Sequence, residues 1–127
     1  MAYPSDLKYT KEHEWIKLDG KNAAVGITNH AQELLGDIVF VDLPKVGAEI
    51  TAGKAFGSVE SVKAVSDIFA PISGTVTEVN SELTSAPEKI NQNAHSAWMV
   101  KITIKNPAEL NGLLSAADYE KFVAEEG

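Results

Sequence analysis

The sequence contains no cysteine and no arginine. The first absence removes disulfides, thiolate metal ligands and cysteine nucleophiles. The second leaves all 11 basic residues as lysines against 18 acidic ones, a net charge of −7. An acidic chain without guanidinium forks is a poor phosphate binder, so no nucleic acid partner is expected. No apolar stretch reaches membrane-spanning length, so no membrane partner is expected either. Met1-Ala2-Tyr3-Pro4-Ser5-Asp6 lacks the apolar core of a signal peptide and the arginine-rich pattern of a transit peptide. The expected location is the bacterial cytoplasm, with a trimmed mitochondrial form as the alternative. No GxSxG, P-loop, HExxH or EF-hand pattern occurs, and the chain lacks the equipment of an enzyme.

What is present is a core. The 127 residues are 44% hydrophobic, the size and composition of one domain over 1–127. Most of the chain reads as short strands with turn residues between them. Trp15–Leu18 and Ala23–Ile27 flank Asp19-Gly20, a hairpin signal. Thr28 caps a short helix over 31–35 that Gly36 closes. Strand-like runs follow at 38–41, 55–62, 65–70, 75–79 and 98–104. Asn106-Pro107-Ala108-Glu109 starts one helical turn, and Ser115 starts a second with Tyr119, Phe122 and Val123 at helical spacing. Segments 37–47 and 67–74 are loosely similar, either by chance or as two half-units packed face to face.

Three histidines are available for chemistry. His13 lies between Glu12 and Glu14, but neighbours in a strand point to opposite faces, so an ordinary solvated cluster is expected and no metal site. His30 reads as a helix-surface residue and His95 as a loop residue. The segment from Val59 to Ile68 is different. It is near-palindromic about the Lys63–Ala64 bond, pairing Val62 with Val65, Ser61 with Ser66, Glu60 with Asp67 and Val59 with Ile68. A single strand of that length would exceed the usual limit, whereas a hairpin with Lys63 at its tip does not. Lys-Ala is a poor tight turn, and Glu60 facing Asp67 places like charges across the ladder. Local rules broken together point to function, and a plain exposed lysine is the competing reading. A protruding lysine is what an acyl carrier requires: acylation leaves a neutral amide and a tether that raises the arm's effective concentration at a docked enzyme.

Glu60-Ser61-Val62-Lys63-Ala64 resembles the lipoylation motif of the glycine cleavage system H protein family. The resemblance extends through Tyr9–Ile16, Val25–Thr28, Leu35–Pro44, Ala70–Gly74, Val79-Asn80, Trp98-Met99 and the tail around Tyr119, in order along nearly the whole chain. It implies a mainly β, lipoyl-domain-like hybrid barrel or sandwich of two antiparallel sheets, with a short internal helix and a helical C-terminal tail. It implies a monomeric, non-catalytic carrier in glycine catabolism, with lipoic acid held covalently as N6-lipoyllysine on Lys63. The arm accepts an aminomethyl group from glycine decarboxylase (P protein), presents it to the aminomethyltransferase (T protein), and is reoxidised by dihydrolipoyl dehydrogenase (L protein). A lipoate ligase or an octanoyl or lipoyl transferase attaches it. Glu14 and Asp67 match family positions near a cleft that shelters the loaded arm, although Glu14 reads equally well as a surface glutamate.

Two departures stand out. Asn29 replaces the usual Asp, and the stretch 91–98 is one residue shorter than the family's, without its Pro-Tyr pair. Among rivals, a biotin carrier domain places methionines beside its lysine, where this chain has Val62 and Ala64. A lipoyl domain cut from a larger acyltransferase would lack this helical tail. A scaffold that ignores Lys63 and a carrier that also donates its lipoyl group to other enzymes are the remaining alternatives.

Overall fold

A computed structural model describes residues 3–126, and the Asp19-Gly20 turn does join two strands in it. The elements are β1 (Leu7–Tyr9), β2 (Glu14–Asp19), β3 (Asn22–Ile27), α1 (Asn29–Leu35), β4 (Ile38–Asp42), β5 (Glu49–Ile50), β6 (Ala55–Ser61), β7 (Val65–Phe69), β8 (Gly74–Val79), α2 (Glu82–Ser85), α3 (Lys89–Gln92), β9 (Val100–Ile104), a 3-10 turn (Pro107–Gly112) and α4 (Ala116–Glu126). Two antiparallel sheets form, in the orders β1-β2-β3-β9-β8-β5 and β4-β6-β7. The mainly β fold with two antiparallel sheets, an internal helix and a helical tail is the expected one. The similar segments 37–47 and 67–74 do not face each other: their strands β4 and β7 flank β6 in one sheet. No helix among the described residues is long and apolar enough to cross a membrane.

The caps follow the sequence closely. Thr28 accepts the Ala31 N–H, and Gly36 ends α1 at φ 81°, a left-handed conformation that costs glycine least. Asn106 caps the 3-10 turn, accepting the Ala108 N–H.

The core is divided among three groups. Ile16, Val25, Ile72, Val76 and Ile102 fill one end of the sandwich, and Ile38, Val41, Val59, Ile68, Leu83 and Ile90 the other. On the outer face of the large sheet, α4 lays Tyr119 over Tyr9 and Trp15. Both faces of β2 are therefore buried at its start, where Glu14, Trp15 and Ile16 are all inaccessible. The Trp15 indole fits because its cross-strand partner is Gly26; a Cβ there would lie 2.6 Å from the ring. Gly26→Ala is expected to cost about 1–3 kcal/mol through overpacking, read as a lower urea midpoint. An unchanged midpoint would show that the indole slides aside freely.

Candidate functional site

The lysine hairpin forms, but its turn lies one residue earlier than the palindrome predicts. Glu60 pairs with Val65, Val59 with Ser66 and Ser58 with Asp67. The Ser61 N–H donates to Ala64 O at 2.7 Å. The centre is thus the Val62–Lys63 bond, and the expected pairings of Val62 with Val65, Ser61 with Ser66, Glu60 with Asp67 and Val59 with Ile68 do not occur. The cause is the Ser61 side chain, whose Oγ accepts the N–H groups of Lys63 (3.3 Å) and Ala64 (3.1 Å). A side chain standing in for backbone acceptors closes a tight turn without Asn-Gly. The expected like-charge clash disappears with the shift, because Glu60 faces Val65 and Asp67 faces Ser58.

The tip is braced from below. The Val62 N–H donates to Asp37 O at 3.0 Å, and the Lys63 stem crosses Gly36, where a Cβ would come within 3.6 Å of Cε. Asn91 holds that underlying corner: its Oδ1 accepts the Ile38 N–H at 2.9 Å, and its Nδ2 donates to Gly36 O at 2.8 Å and Gln32 Oε1 at 2.9 Å. The 91–98 stretch is therefore a brace for the loop beneath Lys63. Its Ala94 carbonyl also accepts the Trp15 indole N–H at 3.0 Å.

Lys63 itself is exposed, as are Phe40, Val62 and Val65 around it, at 53%, 70% and 66% of their maximal accessibility. Phe40, Glu60 and Val65 form one cross-strand row on the outer face of the small sheet. An apolar rim around a charged tip marks a contact surface.

Glu14 is not a surface glutamate. It is buried to 2% exposure and lines a cleft of about 590 Å³ with Phe69, Pro71, Glu109, Leu113 and Leu114. Its Oε1 accepts the Thr10 hydroxyl at 2.7 Å, and the Phe69 N–H donates to Oε2 at 3.4 Å. Burial pushes its carboxyl up to about 7, against the lowering effect of those two donors. Glu109 closes the far wall by accepting the Ser73 N–H and hydroxyl at 2.7 and 3.0 Å.

Asp67 does not line this cleft. It is exposed on β7, and by strand alternation it shares a face with Val65 and Phe69. The face Val65–Asp67–Phe69 runs about 13 Å from beside the tip to the cleft wall that Phe69 forms. Sequence reasoning missed Ser61 as the closure of the turn and Asn91 as its brace.

The glycine cleavage H-protein family model matches residues 7–126. The glycine cleavage system H protein of Koribacter versatilis (strain Ellin345) is 72% identical over 126 residues, covering 99% of this chain and 98% of that protein. Its counterpart in Acidobacterium capsulatum is 64% identical, with the same coverage. The crystal structure of an H protein from Mycobacterium marinum superposes with a TM-score of 0.83 at 36% identity, covering 98% of this chain and 99% of that one. These likenesses span both sheets, the lysine hairpin and the helical tail, and the chain belongs to the glycine cleavage H-protein family, whose members are lipoyl carriers and not catalytic enzymes.

Proposed function

We propose that Lys63 is the lipoyl attachment site of this carrier, within the motif Glu60, Ser61, Val62 and Ala64. The observation that carries the reading is the Ser61-closed turn, which holds Lys63 exposed at a rigid tip. A modifying enzyme, a lipoate ligase or an octanoyl or lipoyl transferase, has to engulf that amine without unfolding its carrier. Ser61 and Asn91 supply the required rigidity, and Phe40, Val62 and Val65 a surface to grip. The lipoyl disulfide, when attached, supplies the redox-active sulfurs to which glycine's aminomethyl group is passed.

The chain's own residues do the sheltering. The β7 face guides the arm from the tip, Asp67 offers a carboxylate along the way, and Glu14 lies buried in the cleft wall at its end. An amine arriving there meets Glu14 in a low-dielectric site, where a charge pair is stronger than in water. The partners in this reading are P protein for loading, T protein for unloading and L protein for reoxidation.

Intact mass after expression with lipoate tests the attachment. A lipoyl-sized increment on the wild type, absent in Lys63→Ala, is expected. A biotin-sized increment, or none, would refute the assignment.

A further inference from the structure

A second cluster lies on the opposite side of β2 from the cleft. His13, His30 and Glu126 converge there from the loop before β2, from α1 and from the end of α4. Their positions, 13, 30 and 126, carry no recognisable ligand spacing, so only the fold reveals them. His13 Nε2 lies 3.1 Å and His30 Nε2 3.3 Å from one oxygen, Glu126 Oε1. Ligands bonded to a tetrahedral zinc at about 2.0–2.1 Å stand about 3.3 Å apart. The three ligand atoms lie within 4.8 Å of one another, so small side-chain rotations bring them round one ion.

The imidazoles are held in place. His13 adopts φ 71°, uncommon for a residue with a side chain, and its N–H and C=O are bonded to Thr10 O and Thr28 N. Its Nδ1 lies 2.7 Å from the Tyr119 hydroxyl, which is 2.7 Å from Thr28 Oγ1. Thr28 in turn caps the helix that carries His30. Ligating histidines typically have their other ring nitrogen bonded to an oxygen in this way. The relay runs in either direction. Thr28 to Tyr119 to His13 leaves a proton on Nε2 for Glu126, and the reverse leaves an Nε2 lone pair for a cation. The two imidazole side chains are 12% and 15% exposed and the carboxylate 39%, so an ion can enter. An adjoining opening of about 330 Å³ carries Glu33 and Glu120 beside His30, acids that attract cations.

We propose that His13, His30 and Glu126 bind a divalent transition metal, zinc, which pins the C-terminal helix to α1 and to the loop before β2. Two imidazoles and a carboxylate form a borderline donor set suited to zinc, with one position left for water. The site is independent of the lipoyl assignment.

Zinc chloride titrated into tag-free, full-length protein by calorimetry tests it. A Lys63→Arg background is used, because a reduced lipoyl dithiol would bind zinc itself. One ion per chain is expected, with visible d–d bands of low-symmetry coordination when cobalt replaces zinc. Removing even an outer-shell partner weakens metal binding about 10–100-fold, so His30→Gln and Glu126→Gln are each expected to lose at least that much. Both positions are partly solvent-facing, and circular dichroism checks that the variants fold. Absence of stoichiometric binding to the parent protein, or affinity unchanged in both variants, would overturn the proposal.

Discussion

Lys63→Arg is expected to fold as the wild type does and to fall to background in glycine–bicarbonate exchange with P protein. The substitution keeps the positive charge and a similar stem at an exposed position over Gly36, so neither core nor turn changes. What it removes is the acylable amine. Without the tether, any lipoyl group in solution acts at its bulk concentration. The loss of effective concentration is on the order of 10²–10⁴-fold. Added free lipoate would restore little of that. Exchange that survived the substitution at wild-type rate would place the working group elsewhere and return the scaffold reading to the front.

Glu14→Gln is expected to stabilise the protein at pH 8 and not at pH 4. Burial carries this carboxyl from its ordinary 4.5 up to about 7. Its protonated form is therefore the one the fold prefers. That preference is fully present below about pH 4.5 and is lost as the pH rises through about 7, at a cost of about 3 kcal/mol. Gln pays no such cost, although it cannot accept from both Thr10 and Phe69 as the carboxylate does. Allowing for that loss, a net gain of about 2 kcal/mol at pH 8 is expected, read from urea unfolding, with no gain at pH 4. A difference between variant and wild type that is equal at the two pH values would contradict the burial argument. Under the proposed function the gain comes with a weaker hold on the loaded arm, the usual exchange of stability against a working site.

The large features of this chain were legible because they are local and repeated. Asp19-Gly20, the Thr28 cap and the alternating runs each carry their signal within a few residues. The elements that escaped are short: β1 and β5 have three and two residues, α2 and α3 four each. None is long enough to show a period. The turn register escaped because a palindrome defines the partners only by likeness, whereas a serine hydroxyl decides the closure. Moving the centre by one bond shifts every partner by two, which keeps each side chain on its face. The hairpin was thus right in facing and wrong in pairing. Only the family resemblance singles out Glu14; by its neighbours it looks like any strand-end glutamate. Its burial depends on Phe69, Glu109 and Leu114 arriving from segments far along the chain, information that no window around residue 14 contains.

The two sheets also differ in when they can exist. The small one draws all three strands from the stretch between Ile38 and Phe69, although β5 within that stretch goes to the large sheet. The large one needs Asn22 beside Thr103 and Val25 beside Val100, and its first strand meets Leu114. At a synthesis rate of roughly 5–20 residues per second, β9 leaves the ribosome about 4–15 s after β3. During that interval β3 has only β2 for a partner, while β4, β6 and β7 already have one another. The sheet bearing the Lys63 hairpin is therefore the first of the two that the nascent chain can complete, and the wall behind it closes last.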